Sequence, residues 1–369
     1  MKILYWFLLG IILLTSILFF GCTTPQETVI KIGYIGPLTG DAASVGEAGL
    51  AAAELAVKEI NDAGGLLNKK IELVVEDDQC TTTGGTNAIN KLLNIDQVIA
   101  ISGPDCGSAA GSSLPLAQQA GTPVVIRWAS VPDLPKIGNY IFRVYPSDTF
   151  QGVYTANYIF NALGKKRVAV LYVKNEYGQG LRDVFVEEFT RLGGEIVFED
   201  SFTQDASDLR SIITKAKEAN PDIVFFPAYR AAGIIGLRQM KELGLNVPIV
   251  AGDAFDTDEV IKNPEGEGVL YSVAITNNPK EFKQRVLEAT GKKADKITAP
   301  LAYDSIYIIA EAIQRAGNLD KEKIRAELEN TSFAGVSYEL IEFDENGDLK
   351  GAEYEMRIIQ NQKSVKYEK

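Results

Sequence analysis

Histidine is absent from all 369 positions. That absence removes Ser-His-Asp and Cys-His catalysis and most zinc chemistry, and leaves only carboxylates, Lys, Tyr or Ser for any enzymatic role. Cysteine is nearly absent as well: Cys22, Cys80 and Cys106 are the three in the chain, too few for a structural zinc site. Dense basic clusters are missing, and Lys plus Arg total 37 against 49 Asp plus Glu, a formal charge of −12. A nucleic-acid partner is therefore not expected. What remains is ordinary globular composition, 46% hydrophobic and 23% charged. Beyond the leader, roughly 340 residues suit two domains better than one.

Long hydrophobic runs are also scarce, the exception being Ile3 to Phe20, which follows Lys2 and stops at Gly21-Cys22. A basic residue, an apolar core and a small residue before cysteine form the pattern of an export signal whose cysteine, here Cys22, becomes the lipidated first residue. Phe19 and Phe20 are bulkier than such a cleavage site usually carries. An uncleaved anchor is the alternative, since about 18 apolar residues approach the length that spans a bilayer. Either reading divides the chain into a leader at 1–22 and a polar linker at 23–28. Both put the rest outside the cytoplasmic membrane, extracellular or periplasmic, tethered by its N-terminus. With Cys22 carrying lipid, Cys80 and Cys106 remain in an oxidising compartment, where a disulfide is expected and two buried free thiols are the alternative.

From Val29 onward, short β-rich runs alternate with amphipathic stretches. Strands are predicted at Val29 to Ile35, Lys70 to Glu76, Gln97 to Ser102, Pro123 to Ile126, Arg167 to Val173, Glu195 to Phe198, Ile223 to Phe226, Pro248 to Ala251 and Gly268 to Ala274. Between them the period becomes helical: Ala53, Ala56, Val57 and Ile60 share a face, as do Leu181, Val184, Phe185, Phe189 and Leu192. Glu54 and Lys58 are spaced as an i,i+4 ion pair. This alternation predicts an α/β fold of doubly wound parallel sheets with helices on both faces. The pattern breaks between Pro132 and Pro146 and restarts at Thr149, which predicts two lobes. Later helices are expected at Pro279 to Thr290, Pro300 to Ala316 and Lys321 to Asn330, with β runs at Val336 to Phe343 and Tyr354 to Ile359.

In such sheets ligands bind beyond the carboxyl ends of the strands, where the following helices point their N-terminal dipoles. After Ser102 comes Gly103-Pro104-Asp105-Cys106-Gly107-Ser108, whose backbone N–H groups and hydroxyl could cradle a carboxylate. Arg127-Trp128-Ala129-Ser130, Tyr177-Gly178, Tyr229-Arg230 and Gly252-Asp253 follow other strands. Taken singly each is weak: a Tyr after a strand is commonly a core residue, and Asp253 could be an N-cap. Together they describe a site for a zwitterion, its carboxylate on Gly107 and Ser108 and its ammonium on Asp253. Asp344, Asn346, Asp348 and Glu355 have the spacing of a calcium loop, but Leu349 takes the glycine position, so a hairpin turn is expected there and no metal.

The runs Ile30-Lys31-Ile32-Gly33-Tyr34-Ile35-Gly36-Pro37-Leu38-Thr39-Gly40, Ala56 to Gly65, Val75-Glu76-Asp77-Asp78, Tyr177-Gly178-Gln179-Gly180 and Phe343 to Asp348 together resemble type I periplasmic binding proteins of the leucine/isoleucine/valine class. The resemblance covers Val29 to Ile359. It implies two lobes joined by a three-stranded hinge: 29–147 with 275–353, and 148–274 with 354–369. It places Gly107, Ser108 and Ser130 on the α-carboxylate and part of the ammonium, Asp253 on the ammonium, Asp148 at a neighbouring polar position, and Tyr177 and Tyr229 as aromatic contacts; Ala129 is also counted among the ligand-binding residues, and Trp128 would shrink or reshape the side-chain pocket. Cys80 and Cys106 match a disulfide of relatives. Gly107 replaces a hydroxyl residue, Val45 an aromatic, and Arg127-Trp128 a Pro and a small residue. Arg127 could point away from the pocket or select an anionic ligand.

The function so implied is capture of a small amino acid, branched-chain or a related zwitterion, for the permease of an ABC importer. The chain is expected to act as a monomer, without cofactor and without catalysis. The alternative is a ligand-sensing receptor for an amino acid, amide or small organic acid, acting with a signalling partner.

Overall fold

A computed structural model describes residues 29–294 and 296–368. The leader, Cys22 and the linker lie outside the described residues. Two parallel sheets organise the chain. The first contains β1 (Ile30–Gly36), β2 (Ile71–Asp77), β3 (Ala100–Ser102), β4 (Val124–Ile126) and β5 (Ile141–Arg143), in the order β2-β1-β3-β4-β5. Its helices are α1 (Ala43–Asp62), α2 (Thr82–Lys91) and α3 (Gly107–Gln119).

After α4 (Asp148–Asn157) the pattern repeats with β6 (Arg167–Val173), α5 (Glu176–Arg191), β7 (Glu195–Phe202), α6 (Arg210–Glu218), β8 (Ile223–Phe225), α7 (Arg230–Glu242), β9 (Ile249–Ala251), the short α8 (Asp258–Ile261) and β10 (Leu270–Ala274). The parallel part runs β7-β6-β8-β9-β10, the same winding as the first sheet. Each sheet therefore reverses direction once, between β1 and β3 and between β6 and β8. Those are the switch points where crevices open beyond the strand ends.

The chain then returns to the first sheet. Helices α9 (Lys280–Thr290), α10 (Thr298–Ala316) and α11 (Lys321–Glu329) follow, with a two-stranded ribbon of β11 (Ser332–Phe333) and β12 (Ile341–Glu342). Ala51, Ala52 and Ala53 of α1 are fully buried with Leu301, Ala302 and Ile309 of α10, because small side chains let two helices lie close over one face of the sheet. Ala88, Ile89, Leu114 and Ala117 cover the other face against Ile101, Val124 and Ile126. Finally β13 (Tyr354–Gln360) joins the second sheet antiparallel to β10, and β14 (Lys363–Lys366) closes the edge. That lobe packs around aromatic rings, with Phe185 and Phe225 centroids 4.1 Å apart.

Several sequence expectations need correction. β5 falls inside the stretch read as an interruption, because three residues among Pro132, Pro135 and Pro146 are too few to show a period. Val336 to Phe343 is not one strand; only its end pairs, Ile341–Glu342 as a strand and Phe343 in a bridge to Leu349, since Asp304 draws the backbone N–H groups of Val336 and Ser337 out of any ladder. Glu54 and Lys58 do not pair: Lys58 meets Asp62, and Lys292 meets Glu54 at 3.3 Å. Asp344 accepts from the Asn346 and Asp348 backbones, both at 2.9 Å, and Asp348 pairs with Arg143, which makes the acidic segment a turn.

Candidate ligand-binding cleft

A cavity of about 320 Å³, mouth included, lies between the carboxyl ends of the two sheets. From the first sheet it is lined by Cys80, Asp105, Cys106, Gly107, Trp128, Ala129 and Ser130, and from the second by Tyr177, Tyr229, Arg230, Asp253 and Ala254. Seven of the nine ligand-binding candidates thus meet in one space. Ser108 and Asp148 stand just behind its wall: the Ser108 hydroxyl donates to the Cys80 carbonyl at 2.8 Å, and the Asp148 backbone donates to the Ser130 carbonyl at 2.6 Å.

Some helix starts are closed by side chains, while those of α1, α6, α8, α9 and α10 are not. Thr81 accepts from Gly84 at the head of α2, Asn175 from Gly178 at α5, and Ser147 from Thr149 at α4. Two of the helices that begin at the cavity, α3 after Cys106 and α7 after Tyr229, have no side-chain cap from their N-cap residues. At α7 the Ala231 N–H reaches Asp41 Oδ2 at 3.5 Å, whereas the first N–H groups of α3 are left for another acceptor. Cys80 and Cys106 are joined by a disulfide, which ties the end of the β2–α2 loop to the head of α3.

Gly107 has a packing reason. A Cβ there would stand 2.5 Å from Val131 Cγ2 and 3.2 Å from the Tyr177 backbone nitrogen, so a side chain would displace Val131 and crowd the first turn of α5. Gly252 is similar, since a Cβ would fall 2.3 Å from the Tyr177 hydroxyl.

Asp253 sits at the centre. Tyr145 donates to its Oδ2 at 2.9 Å and Tyr177 to its Oδ1 at 3.1 Å. The Tyr177 ring stacks on Tyr229, centroids 5.2 Å apart and 6° from parallel. Asp148 is fully buried, and neither carboxylate oxygen has a hydrogen-bond partner. Burial pushes both carboxyls above their usual range; the charge of Asp253 adds to it at Asp148, while the two tyrosine hydroxyls pull Asp253 back. Ser130 and the buried Arg143, itself paired with Asp348, offset part of this at Asp148, and the two acids are a candidate receptacle for a positive group.

Arg127 points away from the cavity. It is fully buried, its Nε donates to Asp105 Oδ1 at 2.9 Å and its Nη2 to Oδ2 at 2.7 Å, and its guanidinium lies 3.9 Å from the Tyr34 ring centre. With its charge neutralised by Asp105, it is a strut behind the wall rather than a ligand contact. Tyr145 escaped the sequence reading because it follows β5, the unrecognised strand. Arg230 was visible after its strand, but nothing in the sequence showed that it faces the cavity.

The sequence profile of the periplasmic binding protein family matches residues 29–363. The chain belongs to that family. Among curated relatives, this periplasmic binding protein is 31% identical to an amino acid binding protein of Pseudomonas aeruginosa, over 94% of each chain. Among solved structures it is similar to the leucine binding protein LivK of Thermotoga maritima, with 29% identity, a TM-score of 0.84, and 92% of this chain and 98% of the other covered. It is also similar to the branched-chain amino acid transporter substrate binding protein LivJ of Streptococcus pneumoniae, solved with isoleucine: 27% identity, TM-score 0.79, and 92% and 100% coverage.

Proposed function

We propose that this protein is the extracytoplasmic solute-binding component of an ABC importer, which captures a small amino acid between its lobes and delivers it to the permease without chemical change. The observation that carries the reading is the pairing of opposite poles across one cavity: the uncapped head of α3 on one side, and Asp253, with Asp148 buried behind the wall, on the other. The α-carboxylate rests on the Gly107 and Ser108 backbone, with the Ser130 hydroxyl beside it, and the ammonium meets Asp253. Tyr177 and Tyr229 cover the rest of the ligand. The likeness to amino acid, leucine and branched-chain amino acid binding proteins supports this class of ligand.

Closure follows from contacts made only when the lobes meet. Arg230 donates to the Asp41 carbonyl at 3.1 Å, and Lys296 stands 3.4 Å from Glu259 across the mouth. The lobes, 29–147 with 275–353 and 148–274 with 354–369, open about three chain crossings near 144–147, 275–279 and 343–353, and ligand shifts the balance toward the closed form. A tether at the N-terminus, lipid on Cys22 or an uncleaved helix, holds the monomer near its permease on the outer membrane face.

Calorimetric titration of the full chain in detergent with amino acids tests the reading. Asp253→Ala should weaken amino-acid binding by at least about tenfold, because the ammonium loses a buried counter-charge. Unchanged affinity would overturn the assignment.

A further inference from the structure

Two cavity-lining residues carry donors that nothing in the protein satisfies. Arg230 is 2% exposed, its Nε is spent on the Asp41 carbonyl, and its Nη1 is buried with no partner. Among the described residues no carboxylate forms an ion pair with it: Asp41 turns its Oδ2 to the Ala231 N–H at 3.5 Å, and Glu259 feels the Arg230 charge without touching it. The indole Nε1 of Trp128 is likewise buried and unpartnered. An unpaired guanidinium and an unsatisfied indole N–H in a closed cavity are each costly, and a leucine, isoleucine or valine side chain offers neither of them an acceptor. The other cation behind this wall, Arg127, is already neutralised by Asp105 and makes no such demand.

The cavity therefore presents three poles. The head of α3 accepts one carboxylate, Asp253 with Asp148 behind it accepts an ammonium, and the head of α7 carries Arg230 with its open Nη1. We infer that this periplasmic binding protein selects an amino acid whose side chain bears a second carboxylate, with Arg230 as the residue that reads it and Trp128 as a supporting donor. A guanidinium fork matches a carboxylate in both shape and charge, and the anion removes the cost of the buried cation. The inference rests on the amino-acid reading proposed above and narrows its ligand to the acidic class. Arg230 is the selecting element, since the α-amino and α-carboxylate contacts are the same for any amino acid.

The test is calorimetric titration of the full chain in detergent with L-glutamate, L-aspartate, L-glutamine and L-leucine. An acidic amino acid should bind at least about tenfold more tightly than leucine and than glutamine, since a site built around a polar group rejects analogues that leave it unpaired. Arg230→Met should lower acidic affinity at least about tenfold more than leucine affinity, the Asp41 closure contact being lost for both, and Arg230→Lys, which keeps the charge and loses the fork, should fall between. Leucine bound as tightly as either acid, or glutamine bound as tightly as glutamate, would overturn the inference while the amino-acid reading stands. An equal loss of leucine and acid affinity in Arg230→Met would reduce the residue to a structural role and overturn it too. Failure of all four to bind would overturn both readings.

Discussion

The hydroxyl of Tyr145 donates to Asp253 Oδ2 at 2.9 Å and joins the two sheets, since Tyr145 follows β5 of the first and Asp253 follows β9 of the second. Asp253 is thereby aimed at the cavity by a residue from the opposite lobe. Tyr145→Phe removes one of two tyrosine donors from a buried carboxylate. A hydrogen bond to a charged group contributes about 1.5–3 kcal/mol, so amino-acid affinity should drop roughly tenfold or more, as read by calorimetry. An unchanged affinity would show that Tyr177 and the ligand suffice to orient Asp253.

Stability should depend on pH in an unusual direction. Burial pushes Asp78 up to about 7 and Asp304 up to about 6, and raises Asp148 and Asp253 as well. The folded protein then holds protons that the unfolded chain has released, so stability from these groups is full at low pH and is lost as pH climbs through their folded values. The ligand-free protein should melt higher at about pH 5 than at about pH 7.5, by roughly 3–6 °C. Glu59, where hydrogen bonds from Tyr303 and Arg285 outweigh its burial, and Asp77 act the other way only below about pH 4.5. Ligand affinity should rise over the range where stability falls, because the ammonium competes with protons for the acid pair. A flat melting profile from pH 5 to 7.5 would count against this account.

Arg127 is a stability element by its geometry. Arg127→Leu leaves Asp105 buried without its bidentate partner and should cost about 3–5 kcal/mol in urea unfolding. The double variant with Asp105→Leu should recover part of that loss. A single variant as stable as the parent would return Arg127 to the question of ligand selection.

The disulfide supports the cavity wall. Cys80 and Cys106 are 26 positions apart and both line the cavity, so Cys106→Ser with Cys80→Ser should lower stability by about 2–4 kcal/mol in chemical denaturation. Amino-acid affinity should fall with it, because the head of α3 is no longer tied to the β2–α2 loop.

Most of the architecture is readable from sequence because it is a local property. Strands such as Arg167 to Val173 run apolar from Val168 to Leu171 where both faces are covered, and helices such as Glu176 to Arg191 repeat their apolar positions at the helical period. The strand-end rule then points to Gly107, Ser130, Tyr177, Tyr229 and Asp253 before any coordinates exist. β5 was hidden by its brevity, and with it Tyr145, whose partner stands 108 positions away. Composition, element order and strand-end residues were settled by the chain itself, since propensity and periodicity act over a few residues. Which charges cancel and which stay open was decided only in three dimensions. Arg127 and Arg230 are both arginines that follow strands, yet Asp105 neutralises one while the other keeps a buried Nη1 without a partner, because long-range packing alone determines what stands opposite a side chain.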